Sequence, residues 1–250
     1  MSGRRQGYVR GVTALAVLGL LGWGGYQIQR DDVMPIQTLQ LQGVFQRLDA
    51  EQLKRVVAAN MQGNFFTLDM QRLHRAVAAL PWVQAVHVDR VWPGLLRVRV
   101  REQRPLALWN GNALLNENGE IFLRLEAPQA AHFDLPRLAG PDALAGQVLA
   151  RYQDFASALA PLALELDALA LDQRRSWTLQ LGNGMRVMLG RENASQRLSR
   201  FLAVYAKYFQ GQALQPRYVD LRYANGFAID WGETHGAVSS GIGQGNKTVT

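Results

Sequence analysis

Residues 83–101, VQAVHVDRVWPGLLRVRVR, read as two strands joined by a turn, and the first half of the chain can be placed around them. Apolar and polar residues alternate through Val86-His87-Val88 and again through Leu96-Arg97-Val98-Arg99-Val100-Arg101, and Pro93-Gly94 supplies the turn. Successive side chains of a strand point to opposite faces, so Arg97, Arg99 and Arg101 must share one face and the valines the other. Upstream, Leu73, Val77 and Leu80 recur at helical spacing and stop at Pro81. Before them, Asp49 with Gln52 three residues later forms a capping-box-like start, and Leu53, Val56 and Val57 give a helical face. Residues 36–42, IQTLQLQ, alternate as a further strand. The order is β-α-α-β-β, a compact unit expected over residues 33–104.

Working further outward, Gly11 to Ile28 is an uncharged run, GVTALAVLGLLGWGGYQI, with Arg4, Arg5 and Arg10 before it and Asp31 and Asp32 after it. Eighteen helical residues span about 27 Å, close to a hydrocarbon core of about 30 Å. Tyr8, Trp23 and Tyr26 stand where interfacial aromatics belong, and the basic side is the short N-terminal tail. A cleaved signal peptide also begins with basic residues and an apolar run, but this run is longer than the usual h-region and no Ala-x-Ala follows it. The expectation is a cytoplasmic tail over 1–10 and a transmembrane helix over 11–29. The body would lie in the periplasm of a single-pass type II inner-membrane protein.

Beyond Pro105 the rhythm changes to short strand-like runs broken by turn signals. Leu106–Trp109, Leu114-Leu115 and Ile121–Leu123 are separated by Gly111-Asn112 and Asn118-Gly119. Residues 127–146, rich in Ala, Pro and Gly, read as a surface loop, and Leu149 to Leu166 as a helix. Gly182-Asn183-Gly184 between Trp177–Leu181 and Met185–Leu189 is a hairpin signal. A helix from about Ser195 to Phe209 follows, then two strands, Tyr218–Arg222 and Phe227–Trp231, around Asn225-Gly226. These features predict a mostly antiparallel β domain with flanking helices over 105–232, and a disordered Gly/Ser/Thr tail over 233–250. The fold class is α+β.

Charge and chemistry narrow the function. The chain of 250 residues has no cysteine, which excludes disulfides, thiolate nucleophiles and Cys-metal sites. Its net charge of +7 sits in the first 104 residues, while 105–250 balances at thirteen basic and thirteen acidic. A basic, membrane-adjacent unit suits anionic headgroups or an acidic protein face better than nucleic acid. The alternating arginines are first of all the solvated face of a half-buried strand. His74, His87, His132 and His235 are scattered, and GxxxxGK[ST], GxGxxG and GxSxG are all absent. Glu165, Asp167 and Asp172 read as a solvated helix end, and Phe201, Tyr205, Tyr208 and Phe209 as core rather than a docking stripe. Neither enzymatic activity, nor a cofactor, nor a small-molecule substrate is expected. Binding is. If Phe227–Trp231 is an edge strand, its backbone groups offer a template for an added strand, with Tyr223 and Trp231 flanking it.

The chain resembles the FtsQ/DivIB family of bacterial cell-division proteins. In the first half, Leu80-Pro81-Trp82-Val83 and Arg90-Val91-Trp92-Pro93 are similar to a POTRA domain. In the second, the resemblance rests on Arg174-Arg175-Ser176-Trp177, Leu189-Gly190-Arg191, and Tyr218-Val219-Asp220-Leu221-Arg222-Tyr223 leading to Trp231. It implies a non-enzymatic scaffold at the division septum whose β domain pairs its last strands with FtsB of the FtsB–FtsL complex. Carried over by position, the partner-binding residues are Arg174, Tyr223, Asn225, Gly226 and Trp231. Asn225 and Phe227 depart from the family pattern of a serine and a small residue. The alternative reading is a POTRA-containing component of outer-membrane protein assembly or secretion, against which the short chain and polar tail argue. A membrane-anchored enzyme is disfavoured further, since none of these catalytic motifs is present.

Overall fold

The computed structural model describes residues 17–20, 23, 34–212, 215–223 and 226–231. These form two compact units, one ending at Gln103 and the other beginning at Arg104. Residues 17–20 and 23 are helical, and the rest of the expected membrane segment lies outside the described residues, as do the 1–10 and 233–250 tails. Among the described residues no helix is long and apolar enough to cross a membrane.

The first unit has the order expected from its periodicities: β1 (Thr38–Gln42), α1 (Ala50–Asn60), α2 (Met70–Ala78), β2 (Val83–Val91) and β3 (Leu95–Glu102). β2 and β3 form the antiparallel hairpin, with Val86 opposite Val100 and Val88 opposite Val98. β1 adds on the other side of β3, parallel to it, with Leu41 beside Val98. Both helices start on aspartate caps. Asp49 accepts from the Glu51 N–H at 2.8 Å and Asp69 from the Arg72 N–H at 2.9 Å, each satisfying an orphan donor of the first turn. Leu53, Val57, Leu73 and Val77 are wholly buried with Leu96 and Val98, so the helices cover one face of the sheet. Arg97, Arg99 and Arg101 occupy the other face, where Arg99 pairs with Asp89 at 2.6 Å. The Glu102 carboxylate accepts from the Gln46, Arg47 and Leu48 N–H groups at 2.6–2.7 Å and so fixes the loop that enters α1.

The second unit is built on β4 (Pro105–Trp109), β5 (Ala113–Asn116), β6 (Ile121–Arg124), α3 (Ala127–Ala130), β7 (Arg137–Ala139), α4 (Ala145–Leu159), β8 (Leu166–Leu171), β9 (Trp177–Leu181), β10 (Arg186–Gly190), α5 (Ala194–Tyr208), β11 (Tyr218–Asp220) and β12 (Ala228–Asp230). Its strands form one nine-stranded sheet in the order β12-β11-β10-β9-β8-β7-β4-β5-β6. The sheet is mixed. Its hairpin pairings are antiparallel as expected, but β4–β7, β7–β8 and β10–β11 are parallel. Two of these arise because α4 and α5 carry the chain across the sheet, and a helical crossover returns a strand in the same direction. α4 and α5 supply Val148, Phe155, Leu159, Leu198 and Phe201 to one core with Leu169, Leu179 and Val187 of the sheet. Phe155 meets Trp177 edge-on at 6.2 Å between centroids.

Three expectations are corrected here. The 127–146 segment is no surface loop: β7 lies inside the sheet between β4 and β8, with Leu138 wholly buried and the Pro136 carbonyl accepting from Leu108 N–H at 2.9 Å. A three-residue strand is too short to display a period. The helix ends at Leu159, followed by a 3-10 turn over Ala160–Leu162 that contains Pro161, and does not run on to Leu166. Leu166–Leu171, LDALAL, is instead β8, because alternate residues find core partners on both neighbouring strands despite their helical propensity. Glu165 and Asp167 therefore flank and enter a strand, and Asp172 opens the β8–β9 turn by accepting from Ser176 N–H at 2.8 Å.

Candidate partner-binding edge

β12 is the terminal strand of the sheet. It pairs antiparallel with β11, Tyr218 opposite Asp230, Val219 opposite Ile229 and Asp220 opposite Ala228. The Asp230 carbonyl accepts from Arg217 N–H at 2.9 Å and so faces β11. Backbone groups alternate along a strand, which turns the N–H and C=O of Ile229 to the opposite side, where β12 has no strand neighbour among the described residues.

The support beneath this edge is buried and closely bonded. β11 carries Val219, wholly buried, and Asp220, 4% exposed. The Asp220 carboxylate takes three bonds from the Arg222 side chain, Nε to both oxygens at 2.9 and 3.0 Å and Nη2 at 2.6 Å, and a fourth from Arg222 N–H at 3.0 Å. Burial alone would raise the Asp220 pKa, but these bonds and the arginine charge hold it below the usual carboxylate value. The same pairing raises the Arg222 guanidinium further above neutrality. Next to this pair, Gly190 ends β10 with φ +76°, and a Cβ there would lie 2.7 Å from Arg197 Nη1 and 3.1 Å from Arg222 Cγ. Arg197 Nη1 in turn donates to the Leu189 carbonyl at 2.6 Å. Leu189-Gly190-Arg191 is thus a packing motif in which glycine takes the left-handed turn into α5 without strain.

α5 supplies the other support. Phe201, Tyr205 and Phe209 stand one helical turn apart, with centroids 5.8 and 6.1 Å apart, and Phe209 meets the Trp231 ring edge-on at 5.7 Å. Phe201 and Tyr205 are core, as expected, whereas Tyr208 is exposed. Burial raises the Tyr205 hydroxyl pKa, and that hydroxyl donates to Gln215 Oε1 at 3.0 Å. Trp231, 42% exposed, therefore offers one face outward while its other edge rests on a row rooted in the core.

Of the five residues inferred by position, Tyr223 follows β11 and is exposed, Gly226 precedes β12, and Trp231 follows it. Tyr223 and Gly226 lie at one end of β12 and Trp231 at the other. Asn225 lies outside the described residues. Arg174 is exposed in the β8–β9 turn, at the same end of the sheet as Tyr223 but three strands in from β12, about 14 Å at the usual strand spacing. Sequence reading missed the Asp220–Arg222 pair and the Phe209–Trp231 contact. The Phe201, Tyr205, Phe209 spacing was the available signal, although nothing local ties it to residue 231. Among the described residues no group of three His, Asp or Glu side chains is placed to hold a metal ion.

Comparison with known proteins matches both units. Residues 34–103 match the POTRA domain, FtsQ-type, and residues 107–222 match the C-terminal region of cell division protein FtsQ/DivIB. The chain is 36% identical to the cell division protein FtsQ of Coxiella burnetii over 219 residues, 87% of this chain and 88% of that one. It is 35% identical to the FtsQ of Allochromatium vinosum over 231 residues, 92% and 90% of the two chains. With the FtsQ of Xanthomonas campestris it shares 36% identity over 220 residues, 88% of this chain and 76% of the other.

Proposed function

Because the chain belongs to the FtsQ/DivIB family of cell-division proteins, we propose that it is a non-enzymatic bitopic scaffold of the divisome that binds the FtsB–FtsL complex by adding a partner strand to β12. On this reading the N-terminal tail is cytoplasmic, residues 11–29 cross the inner membrane, and both units stand in the periplasm at the septum. A role in cell division follows from the family; the choice of partner and the strand-addition mode are the proposal. Its main support is the terminal position of β12, with Ile229 backbone groups turned outward and exposed aromatics at both ends. Main-chain bonds along such an edge supply affinity, and side-chain contacts with Tyr223 and Trp231 supply specificity. Arg174, Asn225 and Gly226 complete the contact set, Arg174 reaching the partner only if it extends across the sheet end.

The test is Ile229→Pro. Proline removes the backbone donor that the added strand would use, while β11 keeps its bonds to β10. Binding of purified FtsB–FtsL should fall below detection while the circular dichroism spectrum is retained. Unchanged binding in a folded Ile229→Pro protein would place the partner elsewhere.

A further inference from the structure

We infer that the pole of the first unit carrying Trp92 and Phe66 rests in the headgroup region of the bilayer, so that this unit is seated on the membrane as well as tethered to it. This rests on the reading of residues 11–29 as a membrane anchor. Trp92, at the β2–β3 turn, is 74% exposed, and Phe66, in the loop between α1 and α2, is 50% exposed. Among the described residues from 34 to 103 they are the two large aromatics more than a third exposed.

Both lie where the chain enters. The Met34 carbonyl accepts from Phe65 N–H at 3.0 Å, and the Gly94 carbonyl accepts from Gln37 and Thr38 N–H at 2.9 and 3.3 Å. Entry strand, aromatic loop and hairpin turn therefore meet at one end of the sheet. Arg90 closes the group by donating to the Leu68 carbonyl, joining β2 to the loop that bears Phe66. The chain leaves at Gln103, beyond the opposite end of β3, so entry and exit mark two poles.

The tether decides what faces the entry pole. Five residues, 29–33, separate the end of the apolar run from Met34. Even fully extended they reach only about 17 Å, on the order of the headgroup layer together with a thin shell of water. Tryptophan prefers that interface, where its ring is buried and its N–H stays hydrated. A phenylalanine beside it adds apolar area without a charge. Asp31 and Asp32 in the tether disfavour a purely electrostatic attachment to anionic lipid, so insertion of neutral rings is the mode that fits.

The absence of cysteine makes the test direct. Single-cysteine variants Trp92→Cys, Phe66→Cys and Val44→Cys of the full chain are labelled with an environment-sensitive dye and reconstituted into phosphatidylethanolamine–phosphatidylglycerol vesicles. Val44 is 81% exposed beyond the far end of β1 and serves as the control. Dyes at 92 and 66 should emit at shorter wavelength and be quenched by lipids brominated near the headgroup, in low and high salt alike, while the dye at 44 stays aqueous. Adding Trp92→Glu to the Phe66→Cys protein should return that dye to water. Flotation of the protein with all three dyes equally aqueous would overturn the seating alone; failure to float would overturn the anchor and the seating together.

Discussion

Asp220 shows how a side chain can be legible as a motif and opaque as a cause. Within Tyr218–Tyr223 it reads as one polar residue in a strand, yet in the fold it is buried and bound by Arg222. Its pKa is lowered in the folded state, so the pair contributes stability fully above the unfolded value of about 3.9, and that contribution is lost as pH falls through the folded value. Asp220→Asn should therefore lower the melting temperature at neutral pH and flatten the acid side of the stability profile. An unchanged profile below pH 4 would show that other carboxylates govern acid unfolding. Trp231 acts at the same scale but on binding. A partly buried aromatic anchor carries about 2 kcal/mol, so Trp231→Ala should weaken FtsB–FtsL binding roughly thirtyfold by calorimetry, since each 1.4 kcal/mol is about tenfold. Tyr223→Ala should act similarly if partner contact spans the length of β12.

Elements obey their neighbours more than their own propensities. β8 has the composition of a helix and becomes a strand because β7 and β9 bond it on both sides. β7 exists only through β4 and β8. The β10–α5 crossover depends on one backbone position: Gly190 adopts a left-handed conformation and leaves room for Arg197 and Arg222. Gly190→Ala should cost about 1–2 kcal/mol from strained φ alone. Its effect should appear in thermal denaturation, with added loss if the Arg197–Leu189 bond is displaced. A Gly190→Ala protein as stable as the parent would mean that the crossover relaxes without penalty.

For the whole molecule, two units with separate cores predict separable folding. Residues 33–104 and 105–232, expressed apart, should each melt cooperatively, and limited proteolysis of the full chain should cut first near 104 and in the 233–250 tail. Loss of cooperative melting in both isolated pieces would argue for a single folding unit.

The sequence by itself determined the β-α-α-β-β unit, the β9–β10 hairpin, α5 and the closing strand pair. In the first three, a period of 2 or 3.6 runs long enough to be seen and is bounded by a cap, a proline or a glycine turn, as with Asp49, Pro81 and Gly182-Asn183-Gly184; the closing pair was marked by the Asn225-Gly226 turn signal between its strands. It also marked residues 218–231 as the place to look for a partner, through Tyr223, Trp231 and the turn between the strands. Only the tertiary structure decided that Leu166–Leu171 is a strand, that Arg137–Ala139 lies inside the sheet, and that β12 ends it. Only there does Phe209 come beneath Trp231, and Arg174 fall three strands from the edge. These facts depend on which segments meet across tens of residues, and hydrogen bonds and burial shared between distant strands leave no periodic trace in either segment alone.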